Sequence, residues 1–528
     1  MNAIMDRAER LLNRVRAKTE QYRKIYLALF FFGLIVYSVF MAFELTNNAD
    51  GLWQQNYYMT VDWEREEGRW LWPEFERFLF GVHTDPVSTI FSLSLYTAGL
   101  VVILNLIPAR GFCQSFLFGA AVIASTGVSG ALGYRFMSYV YGFSFLFSVL
   151  ASFVLARVKK TVPAVLGTAV LITLSMGLYQ AYLACMLVVS LAVLILRLGD
   201  REIRLKDDVL YLVRMAAAVI VGGLTYIFLA HEIPKLYGGS LGTYLGVGST
   251  TPLSILAALP ERLLFTWRQF ADYYFRNYLT NSVLTPHGLY YVVFAALIAA
   301  FAVYAVRITR ADQWGKAVLL IICLFVLPVA ENISLILAPE SALFLQMSVA
   351  DCLLVPIMFL LAMRALPENT GMGKLSSAAG VLLMCAVLYG NTMQIEINQA
   401  VMRQGYTATE TLLGNVMTDL ERRGMLSAQN EYFFIGRPCD NPLFYKTPLY
   451  DRAGEYARVG DSAMEDRSMQ AAFQGLIQKR LGINVPISSH DYEDIAYSDF
   501  LKDMPVFPAE GYCQNWDGFI VVKLARPR

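Results

Sequence analysis

Charge is scarce in this chain. Asp, Glu, Lys and Arg make up 16% of 528 residues, against about 25% in ordinary soluble domains. Histidine occurs only four times, and no CxxC, HExxH or metal-spaced histidine pair is present. A zinc or redox centre therefore has no ligand framework, and no cofactor is expected; nothing in the spacing supports a divalent metal. The net charge is +1 and no basic block lies beyond the N-terminal arm, which excludes a global electrostatic case for nucleic acid. Apolar residues fill the space that charge leaves. They make up 56% of the chain, with a mean hydropathy of +0.47. Runs of roughly 20 apolar residues, the length that crosses hydrocarbon, recur through the first three quarters.

The arm 1–24 carries seven basic residues and precedes an apolar stretch, Ile25 to Leu45, too long for a cleavable leader. It reads as a cytoplasmic amphipathic arm held by the positive-inside rule. The expectation is an all-α polytopic membrane bundle over 25–393 with about eleven spans. They lie near 25–45, 87–107, 113–132, 137–157, 162–177, 178–197, 209–230, 288–306, 317–337, 347–363 and 376–393. The pair 162–177 and 178–197 is nearly continuous and reads as two spans or as a broken one. Every loop this places inside is basic, from Arg110 and Lys159 to Arg201, Arg307 and Arg364. The chain reads as a multi-pass protein of a bacterial inner membrane.

Three segments then fall outside: loop 46–86, loop 231–287 and the C-terminal segment 394–528. Within the second, residues 252–280 look like a helix lying in the membrane interface. The third gains charge and breaks into short pieces such as EYFFIG and GFIVVKL, which indicates a small extracytoplasmic α/β domain. Cys439 and Cys513 are the two cysteines of that domain and are candidates for a disulfide. The other five lie in or beside spans, as packing residues.

Ionisable residues are costly in a bilayer, so their positions carry information. Arg135, Glu331 and Asp351 gather at the outer ends of their spans, which suits a cavity opening outward better than a conduit. Arg135 and Asp351 are also candidates to pair with each other. In loop 46–86, Asp50 follows the first span, and an acid there suits a general base taking a proton from a sugar hydroxyl, with Asp62 as alternate. Arg69 suits a clamp on a phosphate. Trp53, Tyr57, Tyr58, Trp63 and Trp70 offer flat faces to a sugar or a prenyl chain. Bland readings stand beside these: Asp50 as a solvated helix end, the aromatics as an interfacial belt, the EREE run as a solvated face.

Four features resemble the bacterial type II glucosyl transferases (Gtr) that modify O-antigen and other surface polysaccharides, a GT-C-class family. A basic arm and first span lead to Asp50 in NNADGLWQQ. Gly68-Arg69-Trp70 follows. SMGLYQAYLACML, around Tyr179 and Gln180, is similar to the family's Leu-Gly-x-Tyr-Gln signature. The last span enters an outer segment opening NTMQIEINQAV and leading to FFIG. Where family members carry two adjacent acids after the first span, Ala49 precedes Asp50 here. The resemblance implies a GT-C-like bundle and an inverting transfer of a hexose, typically glucose, from undecaprenyl phosphate to a cell-surface glycan. It implies Asp50 as base, Arg69 on the phosphate, Tyr179 and Gln180 lining the donor cavity or packing between helices, and helix 252–280 either holding the donor entrance, with Arg268 or Arg276 near the phosphate, or merely covering the bundle. Arg135 and Asp351 stand as further substrate contacts. The rival class is a transporter or flippase of lipid-linked sugars, which would show pseudo-symmetric halves; none is visible.

Overall fold

The computed structural model describes residues 2–46, 48–54, 56–59, 62–242, 257–276, 287–311, 313–337, 343–365, 371–453, 457–459 and 469–527. Of the outer segment 231–287, residues 243–256 and 277–286 lie outside the described residues.

The chain opens with α1 (Asn2–Val36), continuous from the arm into the first apolar stretch. Loop 46–86 holds α2 (Ala49–Trp53), the two-residue β1 (Asn56–Tyr57), α3 (Asp62–Glu66), α4 (Trp72–Leu79) and β2 (Val82–His83), which pairs antiparallel with β1. The bundle continues with α5 (Val87–Leu106), α6 (Phe112–Ile123), α7 (Thr126–Gly133), α8 (Ser138–Arg157), α9 (Thr161–Leu178), α10 (Leu183–Leu198), α11 (Leu205–Leu236), α12 (Leu259–Phe275), α13 (His287–Thr309), α14 (Trp314–Glu331) and α15 (Val349–Ala365). Last comes α16 (Gly371–Arg422), whose 52 residues carry the final span straight into the C-terminal domain.

Among the described residues eight helices are long and apolar enough to cross a membrane, or nine if α6 and α7, bent by 48° at their junction, make one span. Eleven is therefore not reached. The segments 25–45 and 347–363 are not among these eight, and α15 has 17 residues. The basic loops nonetheless converge on one end of the bundle, where Arg157 donates to Asn105 O at 2.7 Å, Arg364 to Pro108 O at 2.7 Å and Lys316 to Asp200 O at 2.6 Å.

A serine ladder resolves the pair 162–177 and 178–197. On α8, Ser144, Ser148 and Ser152 donate in turn to the carbonyls of Ser175, Tyr182 and Met186, at 2.9, 2.7 and 3.0 Å. Small hydroxyl residues let helices approach closely in lipid and bond across the gap. Thr168 on α9 meets Ala151 O while Ser175 meets Ser144, so α9 runs against α8 and α10 runs with it. The chain reverses at Tyr179, extended at φ −157° and ψ 114°, before the single turn Gln180–Tyr182. These are two spans, with a turn at the end opposite the basic loops.

The C-terminal domain is a three-stranded sheet of order β3-β5-β4, from β3 (Glu431–Ile435), β4 (Cys513–Trp516) and β5 (Phe519–Lys523), with β3 parallel and β4 antiparallel to β5. All five β5 residues are buried, the continuous apolar signature of a covered central strand. The proposed Cys439–Cys513 disulfide is absent, and both cysteines are buried thiols. The reason is topological. Cys439 lies past the end of β3 and Cys513 opens β4, and β5 runs between those two strands. Of the five packing cysteines, Cys185, Cys323 and Cys352 are buried, whereas Cys113 and Cys385 face outward.

This domain clamps loop 46–86. Helix α17 (Met469–Gln474) and the turn after it lie on α2: Gly475 approaches Leu52 O so closely that a Cβ would overlap it, and Lys479 donates to Trp53 O. Gly475→Val should therefore destabilise the protein by about 1–3 kcal/mol through overpacking. A thermal-unfolding midpoint in detergent equal to that of wild type would refute this docking.

Candidate active site

The Gly68-Arg69-Trp70 element is built by a helix stop. Helix α3 ends with Gly68 N–H donating to Arg65 O at 3.0 Å and Arg69 N–H to Glu64 O at 2.8 Å. That is the paired bonding of a Schellman cap, which needs a left-handed residue, and Gly68 has φ +77°. A Cβ there would also lie 3.1 Å from Gln180 Nε2, so glycine is required twice over.

The cap turns Arg69 and Trp70 onto the reversal at Tyr179. Leu71 N–H donates to Gly177 O at 2.9 Å, and Gln180 Nε2 donates to Glu67 O at 2.7 Å and to the Tyr226 hydroxyl at 2.8 Å. Trp70 lies over Gly177, where a Cβ would come within 2.6 Å of its ring. The Arg69 guanidinium stands 5.2 Å above the Tyr179 ring. Tyr179 in turn meets Tyr141 edge-on at 4.8 Å, forming a tyrosine wall beside the cation. Two motifs about 110 residues apart are one structure.

Charge in this cluster is only partly compensated. Glu67 Oε2 lies 2.8 Å from Arg69 Nη2, yet neither Glu67 Oε2 nor Arg69 Nε makes an aligned hydrogen bond. Trp70 Nε1 and Arg65 Nε are buried donors without partners as well. Buried donors left unpaired are rare and costly. Burial raises the Glu67 carboxyl above its ordinary value, Arg69 opposes that rise, and the Asp50 charge adds to it. Asp50, exposed in the first turn of α2, lies close enough for its charge to act on Glu67. The Asn48 side chain caps its helix, accepting from Gly51 N–H at 2.6 Å.

The structure gathers Asp50, Arg69, Tyr179 and Gln180, and places the other candidates elsewhere. Asp62 is exposed and pairs with Arg65 at 3.1 Å. Trp53 is partly covered by the C-terminal domain, and Tyr57 is exposed on β1. Arg135 is buried, and its ion pairs go to Glu44 at 3.5 Å and Asp85 at 3.6 Å rather than to Asp351. Arg268 is exposed on α12, and Arg276 pairs with Asp272. Asp351 lines a separate cavity. The EREE run is not a solvated face, because Glu64, Arg65 and Glu67 are all buried. Sequence reasoning missed Glu67, Tyr141 and Tyr226. It also missed Glu76, fully buried behind the site, which accepts from Trp72 Nε1 at 3.1 Å and from the Tyr139 hydroxyl and lies 2.6 Å from His83 Nε2. The Trp72/Glu76 spacing of four along one helix was the available signal. Among the described residues no group of three or more His, Cys, Asp or Glu is arranged to hold a metal.

Comparison with known proteins bears on residues 37–361, which match the model of the family Glucosyl transferase GtrII. The chain belongs to that family. The match covers more than half of the chain and takes in both motifs of the cluster. No curated protein and no solved structure matches. This GtrII member is a membrane glucosyltransferase, and the Arg69 cluster is its candidate active site.

The raised Glu67 carboxyl sets a pH dependence. The folded chain holds that proton more tightly than the unfolded chain. The resulting stabilisation is complete below the ordinary value of 4.5 and is lost as pH rises through the folded-state value. Glu67→Gln should flatten that part of the curve of unfolding midpoint against pH. Identical slopes in the two proteins would show that Glu67 carries no raised proton affinity.

Proposed function

We propose that the Arg69 cluster receives the phosphate of a polyprenyl-phosphate-linked hexose, glucose by family, and that Asp50 activates the acceptor hydroxyl of a cell-surface glycan. The observation that carries this is the set of unpartnered buried donors, Arg69 Nε and Trp70 Nε1, beside an exposed carboxylate. A phosphate ester has several acceptor oxygens, and a guanidinium fixed by a tyrosine face binds it with defined geometry.

In this reading the C1–O bond to the carrier phosphate breaks and a bond from the acceptor oxygen to C1 forms. The acceptor proton passes to Asp50 and the phosphate leaves with the electron pair. Arg69 stabilises the charge that grows on the leaving phosphate, when it matters most to the barrier. Attack from the side opposite the leaving group inverts C1, as in GT-C enzymes. A donor anchored in the bilayer reaches the site sideways between helices. That agrees with a site where the α9–α10 reversal meets a loop. Basic loops at the far end, read by the positive-inside rule, support a site on the outer face of the cytoplasmic membrane.

The test is glucose transfer by purified protein in detergent, with undecaprenyl-phosphate-glucose and surface glycan. Asp50→Asn keeps the size and removes the base, and should lower kcat by about 10²–10⁴ while donor binding persists. Arg69→Gln should weaken donor binding as well as turnover. Full transfer by Asp50→Asn removes Asp50 from the mechanism. Carriage of lipid-linked glucose across vesicles without transfer would favour the flippase reading instead.

A further inference from the structure

One buried acid stands apart from the Arg69 cluster. Asp351, in the first turn of α15, is 1% exposed, and neither carboxylate oxygen has a hydrogen-bond partner. An ionised carboxylate buried without a partner costs several kcal/mol, so its charge needs an answer. Asp351 lines a cavity of about 20 Å³ together with Ser125, Thr126, Tyr274, Asn391 and Gln394, and the lining holds no Lys, Arg or His. Glu331, also buried, is close enough to add to the negative field.

The cavity lies against the break in the bundle. Helix α6 ends at Ile123 and α7 begins at Thr126, with Ser125 as N-cap and a bend of 48°. Interrupted helices at membrane depth are tolerated where they line a site, and their freed polar groups commonly hold small ions. Asn391 donates to Ala121 O at 3.2 Å and Gln394 donates to Asn398 Oδ1 at 2.7 Å, which orients both amides at the cavity wall. The lining is rich in oxygen and carries a single carboxylate. Size decides among occupants: a water-sized guest needs roughly 10–15 Å³, so the space takes one such particle and no sugar ring.

We propose that this cavity is a monovalent-cation site, in which a sodium-sized ion is held by the Asp351 carboxylate with oxygens of Ser125, Thr126, Asn391 and Gln394. Hard oxygen donors select such an ion. A calcium ion would ask for more carboxylates than the one that lines the space. The ion ties α7, α15 and α16 together across the break, so its binding is read as stability. The inference does not depend on what the Arg69 cluster binds.

The test uses the whole protein in detergent, with NaCl exchanged for N-methylglucamine chloride at constant ionic strength. Sodium should raise the unfolding midpoint of wild type by a few degrees in a saturable way. That response should vanish in Asp351→Asn and weaken in Thr126→Val. A wild-type midpoint indifferent to sodium would overturn the proposal and mean that a proton answers the charge. So would an undiminished sodium response in Asp351→Asn. Should that variant not fold, the wild-type titration and Thr126→Val decide by the same criteria.

Discussion

A helix that stops inside a membrane bundle must find partners for the backbone groups it releases, and here the first outer loop supplies them. The chain leaves α9 at Leu178 and turns at Tyr179; Leu71 N–H takes the carbonyl of Gly177, and Gln180 reaches back to the carbonyl of Glu67. Each segment completes the other's hydrogen bonding. Without the loop, the reversal leaves the Gly177 carbonyl unpaired; without the reversal, the loop has nothing to anchor its cap. The position of Arg69 follows from this mutual dependence.

The C-terminal domain extends the same logic. Its α17 and following turn press on α2, the short helix that carries Asp50, while α16 joins domain to bundle without a linker. A five-residue helix has little stability of its own. Held by Asn48 at its start and by the domain along its side, it keeps Asp50 within electrostatic reach of Glu67. An acid on so short a helix is held in place because a second domain covers that helix.

Much of this was legible in the sequence, for identifiable reasons. Apolar runs with basic loops exposed the bundle, and Gly68-Arg69-Trp70 and Tyr179-Gln180 were visible as motifs. Their contact was not, because spacing along a chain carries no information on which reversal a loop will cover. Glu67 was misread because a run of charges is solvated unless something packs on it, and here the Tyr179 reversal does. Tyr141 and Tyr226 are aromatic residues in apolar spans, indistinguishable from packing until a cation is placed beside them. The disulfide failed on sheet order, which cysteine spacing cannot express. The span count was less legible, because helix length and composition support eight or nine spans among the described residues.

The central claim is that the Arg69 loop and the Tyr179 reversal form one site for a lipid-linked phosphate. Photolabelling with a diazirine-bearing polyprenyl phosphate, followed by peptide mapping, tests it most directly. The account predicts label on peptides from both 62–72 and 177–182, lost together in Arg69→Gln. Label confined to other spans, or unchanged by Arg69→Gln, would contradict it.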